Sequence, residues 1–507
     1  MDAIATFADR KPDADAIIEG ERRLTWRRYR EQRDRLAGAL VGLGLAPGEH
    51  VVLYAPNSLE YLLVSAATRA AGAIPVPMNH RLSAEEAAYI LDDSDAVLAF
   101  VGEPFVPMVD RIRDGARRVR RWVTIGGACP AWATAIDDLL ARGGPAPAPQ
   151  DATNLGGSMI YTAGTTGKPK GALRRRTEQA AILERLGALD LAREHVHLVA
   201  GPLYHSAPGA FALYAHLFGG TVVVLPKFDA EAALAAIARH RCTSTFMAPT
   251  LLKRIVELPD GVRARYDVSS MQVVVVAAAP CPTKVKEDVI RQFGPVLYEF
   301  YGSTELGVNT VLRPEDVLRK PGSCGRAAPG VELALLDDDG RPVRPGEPGD
   351  LFVRRYPGVF DEYYKKPEAT RQTQRGEWLS VGDVAWMDED GFVYVCDRKR
   401  DMVISGGVNI YPAEIEDALH RHPAVADVAV FGVPDDEWGE RVHAAVELRD
   451  GARATAEELI AFARQHLAGY KVPREIAFHA ALPRDAAGKL LKRLLREPHW
   501  AGRASRV

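Results

Sequence analysis

The chain lacks most of what would mark it as secreted, membrane-spanning or polyanion-binding. Its five cysteines, Cys129, Cys242, Cys281, Cys324 and Cys396, are an odd number, widely scattered, with no C-x-x-C pair. A disulfide framework and zinc-ligand spacing are thereby excluded, and reduced thiols in a cytoplasmic protein are expected. No apolar run approaches the roughly 20 residues that span a bilayer. The longest runs, such as 273–279, are strand-sized, and that one ends at Pro280. The start, Met1-Asp2-Ala3-Ile4, has no basic-then-apolar layout of a signal peptide. Neither charge sign dominates: 64 Lys and Arg face 67 Asp and Glu, a net −3. A nucleic-acid binder should carry a basic excess, so that class is disfavoured.

What is present is length and alternation. The 507 residues exceed one ordinary domain, and 47% hydrophobic with 26% charged content is that of a globular protein. Short Val-rich runs, at 50–54, 221–225, 244–247 and 272–278, alternate with amphipathic stretches. Asp229 is placed to cap a helix over 230–240. This pattern predicts α/β architecture with largely parallel sheets. Past about residue 330 it changes to hairpin-like strands around the turn Asp337-Asp338-Asp339-Gly340, read as a plain turn rather than a calcium loop. The charged, Gly-rich stretch 397–407 then divides the chain, and the last roughly 110 residues suffice for a small α+β domain. Residues 144–149 read as a surface connection.

The most informative segment is Tyr161-Thr162-Ala163-Gly164-Thr165-Thr166-Gly167-Lys168-Pro169-Lys170-Gly171. Three glycines let backbone approach an anion, and hydroxyls and lysines can donate to phosphate oxygens. Pro169 after Lys168 departs from the Walker pattern and discourages the helix that such a loop feeds.

This segment resembles the phosphate loop of the adenylate-forming superfamily, which holds acyl-CoA synthetases, peptide-synthetase adenylation domains and luciferases. Further motifs follow in the family's order. They are Pro202-Leu203-Tyr204-His205-Ser206-Ala207-Pro208, Ala277-Ala278-Ala279-Pro280, Tyr301-Gly302-Ser303-Thr304-Glu305, Trp378-Leu379-Ser380-Val381-Gly382-Asp383, the hinge region 397–416 and Pro483-Arg484-Asp485-Ala486-Ala487-Gly488-Lys489. The resemblance implies a large N-terminal domain, 1–398, of two αβαβα-like sheet subdomains plus a small β-barrel-like part. A small mobile α+β domain, 399–507, would follow a hinge near Arg400.

It also implies a stand-alone AMP-forming acyl-CoA synthetase using a small-molecule carboxylic acid, ATP (or acyl-AMP), Mg²⁺ and coenzyme A, with room for a homodimer. Lys489, His205, Thr304 and Glu305 would be catalytic, with Glu305 the metal ligand. Nucleotide contacts would come from Thr162, Ala163, Gly164, Thr165, Thr166, Gly167, Lys170, Ala278, Ala279, Pro280, Tyr301, Gly302, Ser303, Asp383 and Arg398. Within that set Tyr301 would face adenine, and Asp383 and Arg398 the ribose. His205, Gly209, Ala210, Phe211, Leu213, Ala277 and Gly302 would line the acyl pocket. Gly406, Gly407, Trp438, Arg441, Lys471 and Arg474 would meet coenzyme A.

The substrate segment carries no Asp for an α-amine, so an uncharged, bulky aliphatic, aromatic or polycyclic acid is expected. Only eighteen residues follow Lys489, which leaves no carrier domain and implies a free thiol acceptor. Three departures stand out. Ala163 replaces the family's Ser and removes a donor. Arg174-Arg175-Arg176-Thr177 replaces the customary Thr-His segment; its arginines are able to bind phosphate, but the run reads first as a solvated basic stretch. Asp397-Arg398 and Arg400 replace the usual hinge residues. The loss at Ala163 motivates an alternative in which adenylation is impaired and transfer from a preformed acyl-adenylate is retained.

Overall fold

The computed structural model of the chain describes residues 2–144, 156–162, 168–399, 401–406, 408–435, 437–484 and 490–501. Two sheets form its frame. In the first, Ile74–Pro77, His50–Tyr54, Leu98–Gly102, Arg121–Ile125 and Thr134–Ala135 pair in parallel in that order. Every residue of His50–Tyr54 is buried, which is why the strand reads as an unbroken apolar run instead of alternating. The second sheet has nine strands. Its centre, Thr221–Val224, Val196–Val199, Ser244–Met247 and Val273–Val276, is parallel, and antiparallel strands close both edges.

Two strands are shorter than the sequence suggests. Leu225 leads directly into Pro226, and beyond Val276 the backbone turns at Ala278, whose φ of 77° is incompatible with a strand. The helix Ala230–His240 starts where expected, because the Asp229 carboxylate accepts from the Ala232 N–H at 2.8 Å.

Six elements position the candidate site. They are β1 (Ser158–Thr162), β2 (Lys170–Arg174), α1 (Gln179–Ala188), α2 (Ser206–Leu217), β3 (Leu297–Ser303) and β4 (Gly307–Leu312). β1 and β2 form an antiparallel hairpin joined by Glu362–Tyr363. β3 continues the parallel centre of the nine-stranded sheet and β4 turns back against it.

Where a barrel-like part is expected, six antiparallel strands between Leu333 and Arg398 form a sheet. The acidic turn there is a plain turn, closed by the Arg341 N–H on Asp337, and its Asp338 pairs with Lys399. The C-terminal part is α+β. Its five-stranded sheet, from Val403–Ser405 to Glu475–His479, packs Val403, Ile410, Val428 and Val446 against the helices Pro412–His420 and Ala456–His466. It meets the preceding part through the Arg449–Glu257 ion pair at 2.7 Å and through Lys253, which donates to the Ala426 carbonyl. Among the described residues no helix is long and apolar enough to cross a membrane.

Candidate active site

The site begins with a turn that only glycine permits. A Cβ on Gly302 would lie 2.0 Å from the Gly307 carbonyl oxygen, so β3 and β4 approach this closely only because it is absent. The Ser303 hydroxyl accepts from the Leu306 N–H at 3.1 Å and fixes the connecting loop. Thr304 and Glu305 are thereby presented at one end of the sheet.

Glu305 is 7% exposed, and its Oε1 accepts from Thr162 at 3.2 Å and from Tyr363 at 2.8 Å. Both donors are neutral, so neither sets a counter-charge against the carboxylate. Among the described residues no cluster of three or more His, Cys, Asp or Glu forms a dedicated metal cage. A single carboxylate suits Mg²⁺, which keeps waters and binds phosphate oxygens. Thr304 donates to Ser206 at 3.2 Å and so joins this loop to the first turn of α2.

A second constellation lies beside it. The Tyr301 hydroxyl donates to Asp383 Oδ2 at 2.5 Å, and Arg398 Nε stands 3.3 Å from Asp383 Oδ1. Burial, and then the Asp383 charge, push the Tyr301 phenol well above its usual range, so it stays a donor. Burial alone would lower the Arg398 pKa, but Asp383 and neighbouring acids overcome it and hold the guanidinium charged. Tyr301 is therefore more than a flat surface. It orients the carboxylate expected to meet the ribose.

The other expected residues fall as follows. Lys170 opens β2 opposite Thr162 in register, with its ammonium 5.4 Å from the Tyr363 ring centroid. Ala277 is buried and Ala278 exposed at the strained turn that leads to Ala279 and Pro280. His205 caps α2, its ring 4.3 Å from that of Tyr204, which meets His80 edge-on at 5.0 Å. Gly209, Ala210 and Leu213 lie on partly exposed faces of α2.

Phe211 differs from expectation as a pocket-lining side chain. It is 2% exposed and stacks on Phe246 at 5.1 Å and on His197 at 6.1 Å, so it packs the helix onto the sheet. Ala163, Gly164, Thr165, Thr166, Gly167, Arg400, Gly407 and Lys489 lie outside the described residues.

Several coenzyme A candidates gather on the C-terminal sheet. A Cβ on Gly406 would meet the Trp438 indole at 2.5 Å, and the Arg474 guanidinium sits 5.6 Å from that indole. Arg441 joins them through its neighbour, since the Arg474 N–H donates to the Val442 carbonyl. Arg441 pairs with Glu475 at 3.2 Å. Lys471 instead pairs with Glu414 at 2.7 Å.

Three features were missed in the sequence. Tyr363, far from any motif, donates to Glu305. Asp93 accepts from Tyr161 at 2.9 Å and pairs with Lys366 at 3.1 Å, which anchors β1 at the base of the phosphate loop. The basic run 174–176 is not uniformly solvated. Arg175 and Arg176 are exposed, but Arg174 turns inward and donates to the carbonyls of Thr304 at 3.3 Å and Val359 at 3.4 Å. The strand alternates, so its inner face receives position 174 whatever the residue. The hinge departure also has a structural account: Asp397 stands 3.8 Å from Lys492, which pairs with Glu416 at 2.7 Å.

Comparison with known proteins decides the family. The AMP-binding enzyme family matches residues 4–364, and the AMP-binding enzyme C-terminal domain matches 414–489. The chain belongs to this family, among its AMP-forming acid–CoA ligases. It is 37% identical to a feruloyl-CoA synthase of an Amycolatopsis species, over 95% of each chain. It is 32% identical to the long-chain-fatty-acid–CoA ligase FadD13 of Mycobacterium tuberculosis, over 94% of each. Its structure is similar to that of the anthranilate CoA ligase AuaEII in complex with anthranoyl-AMP, with a TM-score of 0.88 and 28% identity over 98% of this chain and 96% of that one. The ligase thus acts on a carboxylic acid and binds ATP.

Proposed function

We propose that the ligase activates a bulky hydrophobic, non-amino-acid carboxylic acid as its acyl-adenylate and transfers the acyl group to coenzyme A. The observation that carries this reading is the acyl side of α2. Small residues Gly209 and Ala210 lie on the partly exposed face of that helix, Ala277 is buried beneath it in the cluster that holds Phe246 and Phe300, and the segment 205–211 holds no carboxylate for an amine. Relatives named for feruloyl and long-chain fatty acyl groups are in keeping with it.

In the first step a carboxylate oxygen attacks the α-phosphorus, and the bond to pyrophosphate breaks. Two anions meet, so charge neutralisation and alignment matter most. Thr304 would donate to the phosphate. Glu305 would hold Mg²⁺, which supplies positive charge to the polyphosphate, while Thr162 and Tyr363 orient that carboxylate. Asp383 would accept from the ribose hydroxyls with Tyr301 behind it, and Lys489 would supply a mobile positive charge. In the second step the thiolate attacks the acyl carbon and AMP leaves, its proton having gone to solvent. The C-terminal domain, 399–507, would turn about Arg400 to bring Gly406, Gly407 and the Trp438 surface to bear.

A panel of carboxylic acids with ATP and coenzyme A, read by mass, tests this. AMP with an acyl-CoA from aromatic or long aliphatic acids is expected, and AMP formation with amino acids alone would overturn it. Ala163 favours one variant of this reading, weak adenylation with intact transfer. Robust pyrophosphate exchange would exclude that variant.

A further inference from the structure

The helix Ala84–Asp93 connects Ile74–Pro77 to Leu98–Gly102 in the first sheet. A capping box starts it: the Ser83 hydroxyl accepts from the Glu86 N–H at 3.3 Å, and the Glu86 carboxylate accepts from the Ser83 N–H at 2.8 Å. Ala87, Ile90 and Leu91, at helical spacing, pack in one core with Met159 of β1 and Leu173 of β2. The helix therefore lies against the hairpin that carries Thr162. Its end runs against local preference. Asp92 and Asp93 close a helix whose last carbonyls already carry partial negative charge, and Asp95 follows with a φ of 50°. Such choices persist where tertiary partners outweigh them.

Those partners come largely from one short segment. Lys366 Nζ donates to Asp93 Oδ1 at 3.1 Å, and the Tyr364 hydroxyl donates to Asp95 Oδ2 at 2.8 Å. The Lys365 ammonium stands 2.7 Å from Asp95 Oδ1. Lys365 itself has a φ of 55°, which a lysine adopts only where its surroundings hold it. The other oxygen of Asp93, Oδ2, accepts from the Tyr161 hydroxyl at 2.9 Å. Both oxygens of a buried carboxylate are thus committed, one to each of two chain segments.

The two segments share a purpose. Tyr161 precedes Thr162 in β1. Lys366 lies three residues past Tyr363, and its N–H donates to the Tyr363 carbonyl at 3.0 Å. Thr162 and Tyr363 donate to Glu305 at 3.2 and 2.8 Å. Hydrogen bonds weaken steeply with distance and angle, so a small shift of either segment would loosen that grip. We propose that Asp93 is a positioning residue for adenylation: by fixing Tyr161 and Lys366 together, it sets the two donors that orient the Glu305 carboxylate. This rests on the reading of Glu305 as the Mg²⁺ ligand and extends it to a residue outside the ordered motifs.

The full-length enzyme tests it. With an accepted acid, Asp93→Ala should lower pyrophosphate exchange by about 10-fold or more and raise the Mg²⁺ concentration giving half the rate. Acyl transfer from supplied acyl-adenylate should fall by less than about 3-fold. Lys366→Met and Tyr161→Phe each remove one arm, and each should lower exchange by about 3-fold with transfer kept. In a Thr162→Val/Tyr363→Phe background the donors are already gone, so adding Asp93→Ala should lower exchange by less than about 3-fold further. The full loss in that background, or equal losses of exchange and transfer in Asp93→Ala, would overturn the assignment. If Asp93→Ala does not fold, the single-arm variants decide, and a wild-type ratio of exchange to transfer in both sinks it.

Calorimetric titration of Mg²⁺–ATP into the ligand-free enzyme reads the same effect without turnover, and Kd should rise about 10-fold in Asp93→Ala. Failure of the functional reading would look different, with no exchange from any acid in the wild type. The titration then decides, and an unchanged Kd in Asp93→Ala sinks the Asp93 proposal.

Discussion

On the proposed nucleotide side, Tyr301, Asp383 and Arg398 come from three strands and hold one another at 2.5 and 3.3 Å. Glu305 beside them is buried and gripped by Thr162 and Tyr363. On the C-terminal sheet the proposed coenzyme A residues differ. Trp438 is 41% exposed, and Arg441 and Lys471 are held in ion pairs with surface acids. The first arrangement is preorganised, which suits a step limited by alignment and charge. The second is a surface patch, which suits a site completed when one domain turns onto another. Removing a nucleotide-side residue should therefore cost more than removing a C-terminal one.

The largest effect is expected at Asp383. Asp383→Asn should lower pyrophosphate exchange by about 100-fold or more, because the carboxylate that both Tyr301 and Arg398 orient is lost. A loss below 10-fold would remove the ribose role. Tyr301→Phe keeps the ring and deletes the hydroxyl, so KM for ATP should rise about 10-fold. An unchanged KM would mean that ring contact alone matters. Trp438→Ala should raise KM for coenzyme A by about 5-fold and leave the ATP dependence alone, in line with an exposed cation–π platform.

The smallest effect concerns core packing at the far end of α2, where the His216 ring meets Trp26 and Tyr29. Burial pulls His216 down to about 4, and its imidazole N–H donates to the Ala16 carbonyl at 3.1 Å. The unfolded chain takes up that proton first as pH falls through about 6.5, so folding stability is lost from there down to about pH 4. Between pH 7 and 5 the loss should be about 2 kcal/mol. His216→Gln keeps the donor without titrating, and thermal melts should then show a shallower pH dependence. An unaltered slope would assign the effect to other buried histidines.

Much of this contrast was legible in the sequence. The strand His50–Tyr54 and the helix capped by Asp229 follow from local signals. Tyr301, Glu305 and Asp383 stand in ordered motifs. What the sequence hid depends on tertiary contact. Tyr363 reaches Glu305 only because Glu362–Tyr363 pairs with β2. Arg174 sits in a run that looks solvated, and strand alternation alone turned it inward. Phe211 was assigned by its place in a motif, while the helix face decided that it packs.

The separation of the two halves is tested most directly by measuring pyrophosphate exchange and coenzyme A transfer from supplied acyl-adenylate in Glu305→Gln and Trp438→Ala. The ratio of transfer to exchange should rise by about 100-fold in Glu305→Gln, which strips the charge proposed to hold Mg²⁺ in adenylation, and fall about 5-fold in Trp438→Ala. If the ratio moves in the same direction in both variants, the division of labour between the two regions is contradicted.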